Sequence, residues 1–166
     1  MASELKNLSS YDHKDVPDAS GMKFGIIVSD WNREITHALL EGAVRTLKLH
    51  NARESNIIIH DVPGSFELPL GAQLIAENCK PDAVICIGCV IQGETRHFDF
   101  ICQGVTSGIT ELNLRYKKPF IFGVLTTGTI EQAKDRAGGK HGNKGDEAAV
   151  TAIKMVALNR KLNTCS

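Results

Sequence analysis

The residues whose types and positions suit chemistry gather at a few short loops. His97 closes the loop Gly93-Glu-Thr-Arg-His97, which joins an apolar run to a helical pattern. Backbone N–H groups at such a helix start, together with the Thr95 hydroxyl, make an anion site. An imidazole at its rim titrates near neutral pH and can move protons, although it can equally cap or pack on its own helix. Trp31, the single tryptophan, and Phe66 fit either a core or a flat apolar pocket that stacks on a heteroaromatic ligand. Glu67 suits hydrogen bonds from a polyol, or simply the positive end of a helix dipole. Arg136 falls in the last turn of a helical pattern, where a cation is favourable with or without a phosphate to clamp.

The elements that must hold these residues alternate between strands and helices. Met22 to Ser29, Asn56 to Val62, Ala83 to Ile91 and Pro119 to Thr126 are apolar runs of strand length. Between them, Asn32 to His50 sets Ile35, Leu39, Ala43 and Leu47 on one helical face, with Gly42 as a weak point. Ser65 is placed to cap a helix reaching about Asn78. A third helix carries Ile101, Val105, Ile109, Leu112 and Tyr116, and a fourth covers Ile130 to Ala137, opened by the Thr129/Gln132 capping-box spacing. A glycine-rich joint, Gly138 to Asn143, precedes a last helix from about Gly145 to Leu162.

Strands apolar on both faces and separated by helices specify an α/β fold: a doubly wound, flavodoxin-like layer with a four-stranded parallel sheet flanked by helices on both faces. The expected division is a polar N-terminal arm over 1–21 and a single domain over 22–166. Ligands of such sheets bind beyond the strands' carboxyl ends. That rule selects Asp30 to Asn32, Pro63 to Glu67, Gln92 to His97 and Thr126 to Gly128.

Composition removes several function classes. Lys plus Arg is 19 and Asp plus Glu is 19, so no field of one sign gathers nucleic acid or an anionic membrane. No apolar run is long enough to span a bilayer, and the start lacks the apolar core of a signal peptide, so a cytoplasmic location is expected. Five cysteines make an odd number, which excludes a complete intrachain disulfide framework. Cys86-Ile-Gly-Cys89 has redox or zinc spacing, but on a strand positions three apart face opposite ways. Cys79, Cys86, Cys89, Cys102 and Cys165 are therefore read as thiols without a metal, and no cofactor is expected. His13, His37, His50, His60 and His141 show no metal-ligand spacing. Gly139 to Gly145 lacks Walker spacing and follows a helix, which excludes nucleotide hydrolysis on that motif.

Taken together, Pro63-Gly-Ser-Phe-Glu67, Val90-Ile-Gln-Gly-Glu-Thr-Arg-His-Phe-Asp99, Phe122-Gly-Val-Leu-Thr126, Glu131-Gln-Ala-Lys-Asp-Arg-Ala-Gly138 and Gly142-Asn-Lys-Gly145 resemble lumazine synthases in order and spacing. The similarity runs from about Met22 to Leu162. It implies condensation of 5-amino-6-(D-ribitylamino)uracil with 3,4-dihydroxy-2-butanone 4-phosphate to 6,7-dimethyl-8-ribityllumazine, in riboflavin biosynthesis. By resemblance, Trp31 stacks on the pyrimidine where the family often has Phe, and Phe66 lines the pocket. Glu67 holds ribityl hydroxyls with Asn32 and Ser65 nearby, while Val90 and Ile91 offer backbone groups to the uracil. Glu94 (through its N–H), Thr95 and Arg136 bind phosphate, and His97 shuttles protons. Phe122, Arg136 and Lys144 match residues contributed by a neighbouring subunit. Self-association into pentamers follows, with shells of sixty subunits in some members.

Three other readings sit on similar folds. An archaeal-type riboflavin synthase would use no phosphate site, against Thr95 and Arg136. A flavodoxin or response regulator would need a phosphate loop after the first strand or an aspartate after the third, and neither is present. A non-catalytic shell protein would have no use for His97, Arg136 and Lys144.

Overall fold

In the computed structural model, Asn7 and residues 9–164 are described; Cys165, one of the expected free thiols, lies outside them. The regular elements are β1 (Phe24–Ser29), α1 (Arg33–Leu49), β2 (Ile57–Val62), α2 (Leu68–Cys79), β3 (Ala83–Ile91), α3 (His97–Tyr116), β4 (Phe120–Thr127), α4 (Ile130–Lys134), β5 (Ala137–Gly139), β6 (Gly142–Asn143) and α5 (Lys144–Asn163). The first four long strands form one parallel sheet in the order β2-β1-β3-β4.

The apolar runs are continuous because both faces of the sheet are covered. Phe24, Ile26, Val28, Ile85, Ile87 and Cys89 point to a layer built by α1 and α5. Ile27, Val84, Cys86 and Val124 point to the opposite layer of α2 and α3. Cys86 and Cys89 thus sit in different layers, as strand alternation requires, and both thiols are free. Burial pushes Cys86 up to about 12 and Cys89 up to about 11, so neither forms a thiolate readily.

Several local expectations are corrected. Ser65 does not cap α2: it opens a 3-10 turn, Ser65–Glu67, and the helix starts at Leu68 with a proline in its first turn. α4 ends at Lys134, so Arg136 lies beyond the helix, where its Nη1 still donates to the carbonyl of Gln132 (3.0 Å). Thr129 caps α4 as expected by accepting from the N–H of Gln132 (3.3 Å). The Gln132 side chain, however, reaches the N–H of Gly128 (2.9 Å), one residue further back than a capping box. The glycine-rich stretch Gly138 to Asn143 is not a simple joint but part of a small antiparallel hairpin, β5–β6, in which Gly138 (φ 112°) and Gly142 (φ 77°) supply left-handed turns.

The segment before β1 lies on the core. Val16, Ala19 and Met22 are buried in the same core layer as α1 and α5, and the N–H of Ala19 donates to the carbonyl of His50 (2.8 Å). No helix among the described residues is long and apolar enough to cross a membrane.

Candidate active site

The strand order reverses at β1, which has β2 on one side and β3 on the other, and a cleft of about 650 Å³ opens beyond that switch point. Its first wall is the turn after β1. The N–H groups of Asp30 and Trp31 donate to the carbonyls of Val62 (2.8 Å) and Pro63 (3.1 Å), which fastens the turn to the end of β2. Asn32 adopts a left-handed conformation (φ 61°) and donates from Nδ2 to the carbonyl of Cys89 (2.9 Å) on β3. Trp31 is left with 72% of its surface exposed, so the core alternative for it is overturned.

The second wall is the turn Pro63 to Glu67. It lies close on β3 and α3 because the facing residues lack side chains. A Cβ at Gly88 would stand 2.8 Å from the Ser65 Oγ, and one at Gly104 would stand 3.1 Å from the Phe66 ring. Phe66 is consequently held on the helix by one face and exposed over 59% of its surface, again facing the cleft rather than the core. The Ser65 Oγ is buried without a protein partner. The Glu67 carboxylate is exposed and folds back over Gly64.

The third wall is the end of β3 and the start of α3. β3 pairs with β1 only as far as Ile87 but continues to Ile91 along β4. Backbone groups alternate sides along a strand, and the N–H of Gln92 donates to Thr127 (2.9 Å) on the β4 side. The same alternation turns the N–H and carbonyl of Ile91, not those of Val90, towards the cleft; Val90 contributes its side chain. The Thr95 hydroxyl accepts from the N–H of His97 (3.4 Å), and both residues line the cleft with exposed side chains.

The cleft therefore brings together Trp31, Asn32, Ser65, Phe66, Glu67, Val90, Ile91, Thr95 and His97. Flat apolar faces, a carboxylate, a hydroxyl at a helix start and an imidazole suit a polar heteroaromatic ligand with an anionic second reactant. Four singled-out residues are not in its lining. Glu94 is exposed on the loop, and Arg136 is half-buried beside α4. Phe122 is half-buried against the α2–α3 layer, and Lys144 pairs with Glu147 (2.6 Å). The sequence reading missed Phe98 and Ile101, whose signal was present: with His97 they form the first turn of α3 on its cleft side. The loop Thr126 to Gly128 stays outside the lining.

Among the described residues, one group of ligand-type side chains gathers: atoms of Asp30, His37 and Asp61 all lie within 4.8 Å of one another. Linear spacing did not show it, because the three come from different elements. Asp30 is paired with Arg33, and His37 Nε2 stands 3.8 Å from Asp61. The three lie outside the cleft's lining, and Asp30 and Asp61 are exposed.

Comparison with known proteins agrees with this architecture. The family model of 6,7-dimethyl-8-ribityllumazine synthase matches residues 21–160. The proteins of that name from Parabacteroides distasonis and Cytophaga hutchinsonii are 61% and 63% identical to this chain. The matches cover 94% and 95% of the chain and 98% of each relative. The one from Phocaeicola vulgatus is 54% identical over 98% of the chain and 96% of its own length. The chain belongs to the 6,7-dimethyl-8-ribityllumazine synthase family.

Proposed function

We propose that the cleft at the β1/β3 switch point is where this lumazine synthase condenses 5-amino-6-(D-ribitylamino)uracil with 3,4-dihydroxy-2-butanone 4-phosphate. The observation that carries this reading is the meeting of Trp31, Phe66, Glu67, Thr95 and His97 in one cleft of a chain from this family. The pyrimidine stacks on Trp31, with Phe66 against it and the Ile91 backbone at its edge. Glu67 accepts hydrogen bonds from the ribityl hydroxyls, with Ser65 beside it in the lining. The phosphate sits at the start of α3, on the Thr95 hydroxyl and the N–H of Glu94.

The ring amine attacks the ketone and water leaves as the imine forms. The proton on the hydroxyl-bearing carbon is then removed as phosphate departs, the resulting enol takes a proton at its terminal carbon to become a ketone, and the ribityl-bearing nitrogen closes onto that new carbonyl with loss of a second water. His97 carries protons between these steps. Its help is worth about 10²–10⁴-fold, while holding both reactants in one orientation supplies more.

Arg136, Phe122 and Lys144, which lie outside their own chain's cleft, are assigned to that of a neighbouring subunit on the resemblance of their motifs to the family. Arg136 pairs with its phosphate, and Lys144 exchanges Glu147 for the ligand. Broad apolar exposure supports such association: Phe100, Leu70, Leu114 and Leu158 are all outside the core. Pentamers are the unit, with a sixty-subunit shell as the larger alternative, and the enzyme works in the cytoplasm on small-molecule substrates. Light scattering that finds no particle larger than a pentamer removes the shell.

The test of the site is a fluorescence assay for lumazine with both substrates. Glu67→Gln is expected to raise KM for the ribitylated pyrimidine about tenfold with little change in KM for the phosphate ester. Equal KM values for variant and wild type would contradict the assignment of Glu67.

A further inference from the structure

Among the described residues, the single tryptophan is more exposed than any phenylalanine. With 72% of Trp31 exposed, packing against its own chain does little to fix the ring, and its direction depends on the backbone that carries it. That backbone is anchored on both sides. On one side, the N–H groups of Asp30 and Trp31 bond to the end of β2. On the other, the next residue, Asn32, reaches across the switch point to the carbonyl of Cys89 on β3 (2.9 Å).

Asn32 does not use its side chain as its position in the chain suggests. It is the N-cap residue of α1, yet makes no side-chain cap bond. Its φ of 61° and ψ of 43° are left-handed, a conformation that L residues avoid and that asparagine tolerates better than most. The turn therefore needs a residue that both accepts this backbone and donates a hydrogen bond. Glycine meets the first need and aspartate largely does; neither meets the second. The Cys89 carbonyl has no β1 partner, because the β1–β3 pairing stops at Val28 and Ile87.

We infer that Asn32 is a positioning residue, whose carboxamide spans the β1/β3 switch point and holds the Trp31 indole over the cleft. One of the two Nδ2 hydrogens is thereby given to Cys89, and Asn32 acts on the pyrimidine through Trp31. The effect on substrate rests on the reading that Trp31 stacks on the pyrimidine; the hold on the indole does not.

Because Trp31 is the only tryptophan, its fluorescence reports on this hold without labelling. The experiment compares wild type, Asn32→Gly and Asn32→Asp as assembled proteins. Time-resolved anisotropy is recorded without ligand, followed by KM and kcat with both substrates. Asn32→Gly keeps the left-handed backbone; Asn32→Asp keeps the Cβ and the size but sets a carboxylate against the Cys89 carbonyl. Both variants are expected to show faster local motion of Trp31, with the pyrimidine KM raised about tenfold and the phosphate-ester KM nearly unchanged. Loosening in Asn32→Gly alone would mean that glycine's own freedom is responsible and would overturn the inference. Unchanged anisotropy in both variants would overturn it too; combined with a raised KM, it would make Asn32 a direct ligand. If pyrimidine leaves wild-type Trp31 emission unaltered, the stacking reading fails, while the ligand-free anisotropy still decides whether Asn32 holds the ring.

Discussion

The carboxamide of Asn143 occupies the place where a side chain at Gly42 would stand: a Cβ there would lie 2.6 Å from its Cγ. Asn143 accepts from the N–H of Gly145 (2.7 Å), capping α5, and donates from Nδ2 to the Ala38 carbonyl on α1 (2.9 Å). One side chain thus joins the end of the β5–β6 hairpin, the start of α5 and the middle of α1, and Gly42 makes room for it.

Gly42→Ala is therefore expected to destabilise the protein, although alanine is the better helix former by about 1 kcal/mol. The clash and the disturbed cap outweigh that gain, for a net loss of about 1–3 kcal/mol. Denaturant unfolding checks it; a variant as stable as wild type would mean that Asn143 can move aside at no cost.

At the active site, His97→Ala is expected to retain measurable activity, while Arg136→Ala loses more. Holding two reactants in one orientation can supply more than a general acid–base group, which contributes about 10²–10⁴-fold. Steady-state kinetics with saturating pyrimidine decide the order. Greater loss in His97→Ala would make proton transfer, not phosphate binding, the main contribution.

Stability should fall on acidification for a reason located in the N-terminal segment. The nearly buried His50 ring stacks with His13 (centroids 5.6 Å apart, planes at 27°), and its Nε2 lies 3.2 Å from the Tyr11 hydroxyl. The charges that act on Tyr11, Arg45 and Asp146, are paired with each other (3.1 Å). Burial, and secondly the His13 charge, hold His50 below its ordinary value of 6.5. With the folded value lower, the unfolded chain binds more protons. Stability is complete above about pH 6.5 and declines as pH drops through the folded value. Unfolding of wild type and His50→Gln at about pH 7.5 and about pH 5.5 isolates the effect, and wild type should lose more. Equal losses would show that His50 does not contribute.

Much of this was legible in the chain. Four apolar runs set the sheet, and the strand-end rule pointed to the turns after β1, β2 and β3 that do line the cleft. Other features were hidden because they depend on contacts between distant segments. The spacing before α2 looked like a Ser65 cap, but packing of that turn on Gly88 and Gly104 makes it 3-10 and sends Phe66 outward. The pattern through Ala137 looked helical, yet pairing of Ala137 with Asn143 ends α4 early. His37 meets Asp30 and Asp61 only once β2 lies beside β1. Trp31 looked as suited to the core as to a pocket, and only the turn geometry decides between them.

Mixing inactive variants tests most directly whether each working site joins one subunit's cleft to its neighbour's Arg136, as proposed above. Trp31→Ala/Glu67→Ala damages the cleft, and Arg136→Ala damages the phosphate clamp. When the two proteins are unfolded together and reassembled, random mixing makes about one site in four intact. Activity near a quarter of wild type is the expected result, from two proteins that are each nearly inactive alone. Activity no higher than the sum of the separate variants, in mixed assemblies of full size, would contradict a shared site.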